Sequence, residues 1–412
     1  MNNSSQAISK LRDLATIRER SQQLFDRALN NESPYFGIDT SKIGPCCDYV
    51  LSLARQSNPS LNVPFHSRWR HFSVGNLDRI NTLKKHDSFP IDPKEQGRLW
   101  YELTLISVLL DAGAGNQWRY LEESSKQLWS RSEGLAVASF DMFLSGLFSS
   151  SKINALQADY EGLDKISTEC IADGMQVTPK NPLLGLEGRA KLINSLASVI
   201  KSKPASFANT QRLGGLYDHV IEQASVGSKK INAPKVLAII LETFSDIWPG
   251  RVSLDNENLG DVWHHNAVKG EGKTNGLIPF HKLSQWLTYS LLEPLQWQGY
   301  QIQGLEKMTG LAEYRNGGLF IDLGVITIKD NALRTVAQAP ESEAIIEWRA
   351  LTICLLDKLW QDALEKTQKT AADFPLVSFL EAGTWKAGRV TAFKNNPNGQ
   401  PPIAIISDGT VF

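Results

Sequence analysis

The chain has 412 residues, of which 42% are hydrophobic and 21% charged, a balance typical of globular proteins with a sizeable core. The formal net charge of −1 excludes a global positive field for a nucleic-acid backbone and leaves only local contacts to anionic ligands. No apolar run reaches the ~18 residues that span a bilayer, and no signal-peptide core follows the polar N-terminus. We therefore expect a cytoplasmic protein with neither a membrane nor a nucleic-acid partner.

Hydrophobic residues recur with helical spacing over most of the chain, which predicts a mainly α, compact fold. In "PIDPKEQGRLWYELTLISVLLDAG", Asp92 is suited to the N-cap and Pro93 to the first helical position, and the apolar run ends at Gly113. Similar patterns predict further helices at 5–29, 43–57, 134–148, 187–203, 211–225, 234–247, 280–298 and 343–365.

Strand signals are few. Segment 318–328, "GLFIDLGVITI", is rich in β-branched residues, and 389–393 with 402–407 has the pattern of a hairpin. We predict a minor β element attached to the helical body. Without an internal repeat, we expect one compact unit over 1–412, with soft boundaries at 170–187 and 250–279, where Gly, Asn and Pro are frequent.

The common sequence signatures of phosphate loops, zinc proteases, serine hydrolases and dinucleotide-binding folds are missing. The adjacent His264 and His265 would point in different directions on a regular element, so a metal site would need distant ligands. We predict no metal and no cofactor. The cysteines have neither a disulfide-framework nor a CxxC pattern, and we expect four free thiols, at Cys46, Cys47, Cys170 and Cys354.

A basic cluster lies in residues 61–72, "LNVPFHSRWRHF". Because the proline disfavours helix before it, we consider an extended segment, in which alternate side chains share a face. That cationic face would consist of His66, Arg68 and Arg70, with His71 on the opposite face, and would suit a phosphate or carboxylate. The alternative is structural: two arginines that bridge acidic helices, with Trp69 in the core.

Two glycine-bearing turns are less specific. "LLDAGAGNQWRY" carries Asp111 and then Trp118, whose ring could cover a ligand, but a glycine C-cap explains the turn without one. "RSEGLAVASF" could place Arg131 and Glu133 at a pocket, but a helix start is the favoured interpretation.

The C-terminal third carries polar residues in apolar surroundings. Residues 279–300 place His281, Gln285 and Glu293 on an otherwise apolar helix. A glutamate is seldom buried unless it is paired or used, and burial would raise its pKa as a general acid requires. "LAEYRNGGLFIDLGV" adds Arg315 and also Asp322, which we place inside the predicted strand.

Two further segments carry acids on predicted helices. "EAIIEWRALTICLLDKLW" is apolar nearly all round but contains Glu347 and Arg349, and for Glu347 a structural ion pair is favoured over catalysis. In "FLEAGTWKAGR", Glu381 would share a helix face with Trp385.

Eight segments in order resemble the uracil-catabolism protein family of fungi and bacteria, the fourth component of a pathway that opens the pyrimidine ring after ribosylation. They are "VPFHSRWRHF", "DAGAGNQWRY", "RSEGLAVASF", "FHKLSQWLTYSLLEPL", "TGLAEYRNGGLFIDLGV", "EWRALT", "LEAGTWKAGR" and "SDGTVF". The resemblance covers nearly the whole chain and implies a role in pyrimidine breakdown, with pathway enzymes as candidate partners.

A fainter pattern is similar to the queuosine-salvage nucleotide N-glycosylases, which implies a helical, DNA-glycosylase-like fold. The counterparts are Leu287, Thr288 and Glu293, then Glu347, Arg349 and Ala350, then Glu381 and Trp385. That family carries aspartate where this chain has Glu293 and Glu381, and His281 and Lys282 lie in the stretch leading in.

Together the resemblances imply an N-glycosidase that cleaves a ribosyl-5-phosphate, most concretely ribosylurea 5-phosphate, a small phosphorylated riboside. The candidate catalytic acids are Glu293, Glu381 and Asp322. The candidate substrate-binding residues are His66, Arg68, Arg70, His71, Trp118, His281, Lys282, Arg315, Glu347, Arg349 and Trp385. The alternatives are a non-catalytic nucleotide-binding or scaffolding subunit and, ranked third, a metal-dependent ureido or amide hydrolase.

Overall fold

A computed structural model describes residues 3–248 and 251–406. The terminal "SDGTVF" segment, the last residue of the predicted 402–407 strand and the first residue of the 250–279 boundary lie outside them.

The helices are α1 (Asn3–Arg12), α2 (Leu14–Leu29), α3 (Ile43–Ser57), α4 (Arg68–Phe72), α5 (Arg79–Lys84), α6 (Pro93–Leu109), α7 (Arg131–Leu144), α8 (Tyr160–Asp164), α9 (Thr168–Gly174), α10 (Leu186–Ser202), α11 (Gly215–Ala224), α12 (Ala233–Thr243), α13 (Lys282–Trp297), α14 (Tyr314–Asp322), α15 (Ala332–Thr335), α16 (Glu343–Thr367), α17 (Leu376–Phe379) and α18 (Trp385–Asn395).

The strands are short and occur in pairs. They are β1 (Phe36–Ile38), β2 (Tyr120–Glu122), β3 (Gln127–Trp129), β4 (Lys230–Asn232), β5 (Ser253–Leu254), β6 (Glu257–Asn258), β7 (Val262–His264), β8 (Leu277–Pro279), β9 (Gln301–Gln303) and β10 (Ile326–Ile328). The pairs β1–β10, β2–β3, β5–β6 and β7–β8 are antiparallel and β4–β9 is parallel. The prediction of a mainly α fold with a minor β element is confirmed.

The described residues divide into two compact units. Unit 1 contains residues 3–66, 251–285 and 304–406, and unit 2 contains residues 67–248 and 286–303. In unit 1, α16 packs on α2, α3 and α14, and α14 also packs on α18. In unit 2, α6 packs on α7 and α11, and α10 packs on α8. The single compact unit expected from the sequence stays a prediction.

Local sequence accounts for the two principal core helices. At the start of α6, the Asp92 carboxylate accepts a hydrogen bond from the Glu95 backbone N–H at 3.3 Å, with Pro93 in the first turn, as predicted. In α16 every residue from 344 to 356 is buried, which agrees with its nearly uniform apolar surface. Within 3–248 and 251–406, no helix is both long enough and apolar enough to cross a membrane.

Two strand predictions are wrong. Residues 318–322 belong to α14, because the Glu313 side chain caps this helix by accepting from the backbone N–H groups of Asn316 and Arg315, and only Ile326–Ile328 is a strand. Residues 389–393 lie inside α18 rather than in a hairpin, and Ile405 makes only an isolated parallel bridge to Gln338. Tertiary packing of α14 on α16 and α18 overrides the β-branched composition.

Candidate functional site

The basic segment 61–72 is not extended as predicted. Ser67 caps α4, with its hydroxyl accepting from the Trp69 backbone N–H at 3.3 Å, so the helix begins at Arg68. Because the helix turns by 3.6 residues, Arg68 and Arg70 point in different directions. The predicted shared cationic face is therefore wrong.

Arg68 is fully buried in unit 2 and held by neighbours from several elements. Its Nη1 donates to Asp111 Oδ2 at 2.7 Å, and its Nε donates to Ser107 Oγ at 2.7 Å. The ring nitrogen Nδ1 of His71 lies 3.2 Å from Nη1. Burial lowers the pKa of the guanidinium, and the charge of Asp111 opposes that shift. This arginine is therefore an internal ion-pair partner rather than a surface cation.

Arg70 and Glu293 form a second ion pair in unit 2. Arg70 Nη2 donates to Glu293 Oε2 at 2.7 Å, and the Ser67 hydroxyl donates to Oε1 of the same carboxylate. The Glu293 side chain is 5% exposed and the Arg70 side chain 28%. Glu293 is thus the poorly solvated, paired acid that its position in α13 predicts.

These contacts favour the structural interpretation of the arginine pair. Both guanidiniums contact carboxylates of other elements, and the Trp69 ring is buried, with its Nε1 donating to the Ser290 carbonyl at 2.7 Å. Two arginines that already carry carboxylate partners offer little net charge to a phosphate.

A histidine–glutamate pair lies in unit 1. His66 Nδ1 is 2.7 Å from Glu381 Oε2, the histidine is nearly buried, and Glu381 is 25% exposed. The Trp385 ring lies 6.1 Å from the His66 ring, and the Arg389 guanidinium lies 5.7 Å from the Trp385 ring centroid. Glu381 belongs to a π-helical turn, Leu380–Thr384, a distortion that is frequent at functional sites. The arrangement is suited to proton transfer.

Arg349 has a structural partner that sequence reasoning missed. Its Nη1 and Nη2 donate to the two Asp261 carboxylate oxygens, each at 2.8 Å, and its guanidinium lies 4.2 Å from the Phe280 ring centroid. Burial alone would raise the pKa of Asp261, but Arg349 holds it well below the ordinary value. The Lys282 backbone N–H also donates to Asp261, at 2.9 Å. We assign this group to the framework of unit 1.

His281 is not on the helix that was predicted to carry it. It precedes α13 with a φ of 48°, is buried, and its Nε2 lies 2.9 Å from the Leu11 carbonyl oxygen. Burial lowers the pKa of the imidazole. Because its backbone is left-handed, His281 cannot continue the right-handed helix, so its side chain does not share a helix face with Gln285 and Glu293.

Asp322 ends α14 rather than lying in a strand, and its Oδ1 accepts from Asn395 Nδ2 at 2.9 Å. Arg315 in the same helix donates to the Gly399 carbonyl at 3.3 Å.

In unit 2, Trp118 is fully buried with its Nε1 donating to the Met175 carbonyl at 2.9 Å, so its ring is enclosed by protein.

Glu347 is buried in unit 1, where the Ser33 hydroxyl donates to it and His265 Nε2 lies 3.9 Å from its Oε2. Burial raises its pKa to about 7, opposed by the Ser33 hydrogen bond.

His264 is exposed and His265 is buried, so the two rings point in different directions, as expected. Among the described residues, no group of three or more His, Cys, Asp or Glu side chains is arranged to hold a metal ion.

The structure thus brings Arg68 and His71 together, and Arg70 and Glu293 together, in unit 2, and it brings His66, Glu381 and Trp385 together in unit 1. Sequence reasoning did not select Ser67, Ser107 or Trp286 as site residues. A serine before a helix carries a capping signal but no signal for a carboxylate partner 226 residues away.

Comparison with known proteins identifies the family of this chain. The family model described as a protein of unknown function (DUF1688) matches residues 10–412. Protein urg3 of Schizosaccharomyces pombe is 38% identical over 416 residues, which cover 99% of this chain and all of the relative. Uracil catabolism protein 4 of Lachancea kluyveri is 36% identical over 436 residues, which cover 98% of this chain and 99% of the relative. The resemblance to uracil-catabolism proteins is confirmed, and the chain belongs to the DUF1688 family.

Proposed function

We propose that this protein acts in uracil catabolism as an N-glycosidase that hydrolyses ribosylurea 5-phosphate to urea and ribose 5-phosphate. The pathway is supported by the name of the L. kluyveri relative, which is similar over nearly the full length of both chains. The reaction is supported by the resemblance to N-glycosylases and by a buried carboxylate that is held in place by an arginine.

The chemistry requires a fixed negative charge. Breaking the bond between C1′ and the ureido nitrogen leaves a ribosyl group with oxocarbenium character, which a carboxylate stabilises or attacks. Water then supplies a hydroxyl group to C1′ and a proton to the urea nitrogen, so the atoms balance without a cofactor. An acid that protonates the departing nitrogen accelerates the step.

The observation that carries the proposal is the environment of Glu293. Arg70 pairs with the carboxylate at 2.7 Å, while the Ser67 hydroxyl fixes its orientation. A preorganised anion of low solvation stabilises a developing cation more strongly than a hydrated one. We therefore assign Glu293 to the charge at C1′, and we assign no phosphate contact to Arg68 or Arg70.

Glu381 is the second candidate acid, because its contact with His66 at 2.7 Å provides a proton donor and acceptor pair. Asp322 ranks below both, since its carboxylate contacts the Asn395 amide near the end of α18. Separate substitutions of the three acids distinguish these roles.

The decisive experiment is incubation of purified protein with ribosylurea 5-phosphate and, in parallel, with UMP. We expect urea and ribose 5-phosphate from the first substrate, and neither uracil nor ribose 5-phosphate from the second. Release of uracil from UMP would move the activity to a nucleotide glycosidase. Absence of all products, with ligand still bound, would contradict the N-glycosidase and favour a non-catalytic binding subunit.

A further inference from the structure

Three buried N–H groups in unit 2 have no hydrogen-bond acceptor among residues 3–248 and 251–406. They are Arg68 Nη2, Arg70 Nε and Trp286 Nε1. Arg68 and Trp286 are neighbours, because the Arg68 Cζ atom lies 5.8 Å from the centroid of the Trp286 ring. Both side chains are more than nine-tenths buried.

Buried donors without acceptors are rare in folded proteins because each loses its hydration without compensation. Arg68 shows the contrast within one side chain. Its Nη1 and Nε have acceptors in Asp111 and Ser107, while its Nη2 has none among the described residues. Two such atoms on adjacent side chains indicate a position reserved for an acceptor that is not part of the chain.

The charges around this position exclude a strongly anionic ligand. Arg68 faces Asp111 and the charge of Glu133, and Arg70 faces Glu293. Two guanidiniums are therefore surrounded by three carboxylates, and a phosphate would add negative charge to a region without a cationic excess. A neutral carbonyl oxygen accepts from the same donors without that penalty.

The neighbouring groups suit a planar ligand that also carries donors. The centroids of the Trp286 and Phe72 rings lie 5.8 and 5.9 Å from the Arg68 Cζ atom. Asp111 places a carboxylate oxygen beside the Arg68 guanidinium, where it can accept from an N–H group of a ligand. A ureido group has one carbonyl acceptor flanked by N–H donors in one plane.

We infer that Arg68 Nη2 and Trp286 Nε1 bind the carbonyl oxygen of a ureido group, and that they, rather than a phosphate contact, select the substrate in this part of unit 2. The inference rests on the proposed function, since it assigns the ureido end of the proposed substrate to this position. The partly exposed His71 lies beside both residues, with its ring centroid 5.8 Å from that of Trp286 and its Nδ1 3.2 Å from Arg68 Nη1.

The test compares two ligands that differ by the ureido group. Dissociation constants for ribosylurea 5-phosphate and for ribose 5-phosphate are measured by calorimetry with the full-length Glu293→Gln protein and with the same protein carrying Trp286→Phe as well. A Glu293→Gln background prevents turnover during the titration. The variant keeps an aromatic ring but removes the indole N–H, so we expect at least about tenfold weaker binding of ribosylurea 5-phosphate and less than about twofold change for ribose 5-phosphate.

Trp360→Phe is the matched control. The Trp360 Nε1 donates to the Phe374 carbonyl at 2.8 Å, so this substitution lowers the Tm without changing the ratio of the two dissociation constants. Trp286→Phe also shrinks a buried ring and should lower the Tm, so the ratio of the two dissociation constants, rather than the Tm, distinguishes it from Trp360→Phe. Arg68→Lys, which keeps a cation beside Asp111, should reproduce the selective loss.

The outcomes separate the two proposals. If Trp286→Phe weakens the binding of both ligands equally, or changes the binding of neither, the ureido assignment is wrong even when the wild-type protein releases urea. If the wild-type protein binds ribosylurea 5-phosphate selectively but releases no urea, the glycosidase proposal fails and the ureido assignment stands. If the wild-type protein binds neither ligand, both are wrong.

Discussion

At the scale of single residues, Glu293 is the side chain on which the proposed chemistry depends. Glu293→Gln keeps the shape and can still accept from Ser67, but it removes the charge that faces Arg70. We expect turnover of ribosylurea 5-phosphate to fall by about 10³-fold or more while ligand affinity changes little, because the lost interaction is stronger in the transition state.

The measurement is kcat per folded molecule, together with the dissociation constant and the Tm. Ser67→Ala is the control, because it removes the neutral partner of the carboxylate and leaves its charge. Should Glu293→Gln lower the Tm while kcat stays near the wild-type value, Glu293 is structural, and the role passes to Glu381 and then to Asp322.

Glu347 makes stability depend on pH. Burial raises its pKa to about 7, above the ordinary value of 4.5 expected in the unfolded chain. Between these values the folded state binds more protons than the unfolded state, so this group's contribution to stability is full below the unfolded pKa and is lost as pH rises through 7. The change in the free energy of unfolding caused by Glu347→Gln should therefore be more stabilising at pH 8 than at pH 5, by ~1–3 kcal/mol.

Urea denaturation at the two pH values measures this difference. The exposed carboxylate of Glu365 in the same helix provides the control, and Glu365→Gln should show nearly the same effect at both pH values. A Glu347→Gln variant that is equally destabilised at pH 5 and pH 8 would contradict the raised pKa.

At the scale of elements, packing and propensity act separately on two helical glycines. A Cβ at Gly97 in α6 would lie 2.3 to 2.7 Å from Tyr217 ring atoms of α11, whereas a Cβ at Gly188 in α10 would meet nothing within 4 Å. Gly97→Ala should lower the free energy of unfolding by ~1–3 kcal/mol through overpacking. Gly188→Ala should raise it by up to ~1 kcal/mol through helix propensity.

Thermal and urea unfolding of the two variants check this pair, since each serves as the control for the other. Equal effects of the same sign would show that the close approach of α6 and α11 is wrong. Either result is independent of the proposed activity, because neither glycine belongs to the candidate site.

At the scale of the whole molecule, burial should divide the four thiols. Cys46, Cys47 and Cys354 are buried, and burial raises the pKa of each, to about 12 for Cys46 and Cys354. Cys170 is only partly buried. We expect one thiol to react rapidly with Ellman's reagent under native conditions and all four to react in denaturant, and rapid reaction of two or more native thiols would contradict the fold.

The sequence by itself determined the features that depend on neighbours along the chain. The mainly α class, the Asp92 cap of α6 and the continuous burial of α16 follow from periodicity, capping chemistry and composition. Local signals can also conflict. In 318–328 the β-branched residues predict a strand, but the Glu313 cap and packing on α16 stabilise a helix through residue 322.

Only the tertiary structure decided which charges meet. Arg68 pairs with Asp111 across 43 residues, Arg349 with Asp261 across 88, and Arg70 with Glu293 across 223. Periodicity records that a position is buried but not which side chain faces it, because a charge in the core is satisfied by whichever element packing brings near. For that reason the sequence could nominate Glu293 as a buried acid, while its pairing with Arg70, and the acceptor-free Arg68 and Trp286 N–H groups among the described residues, required the folded chain.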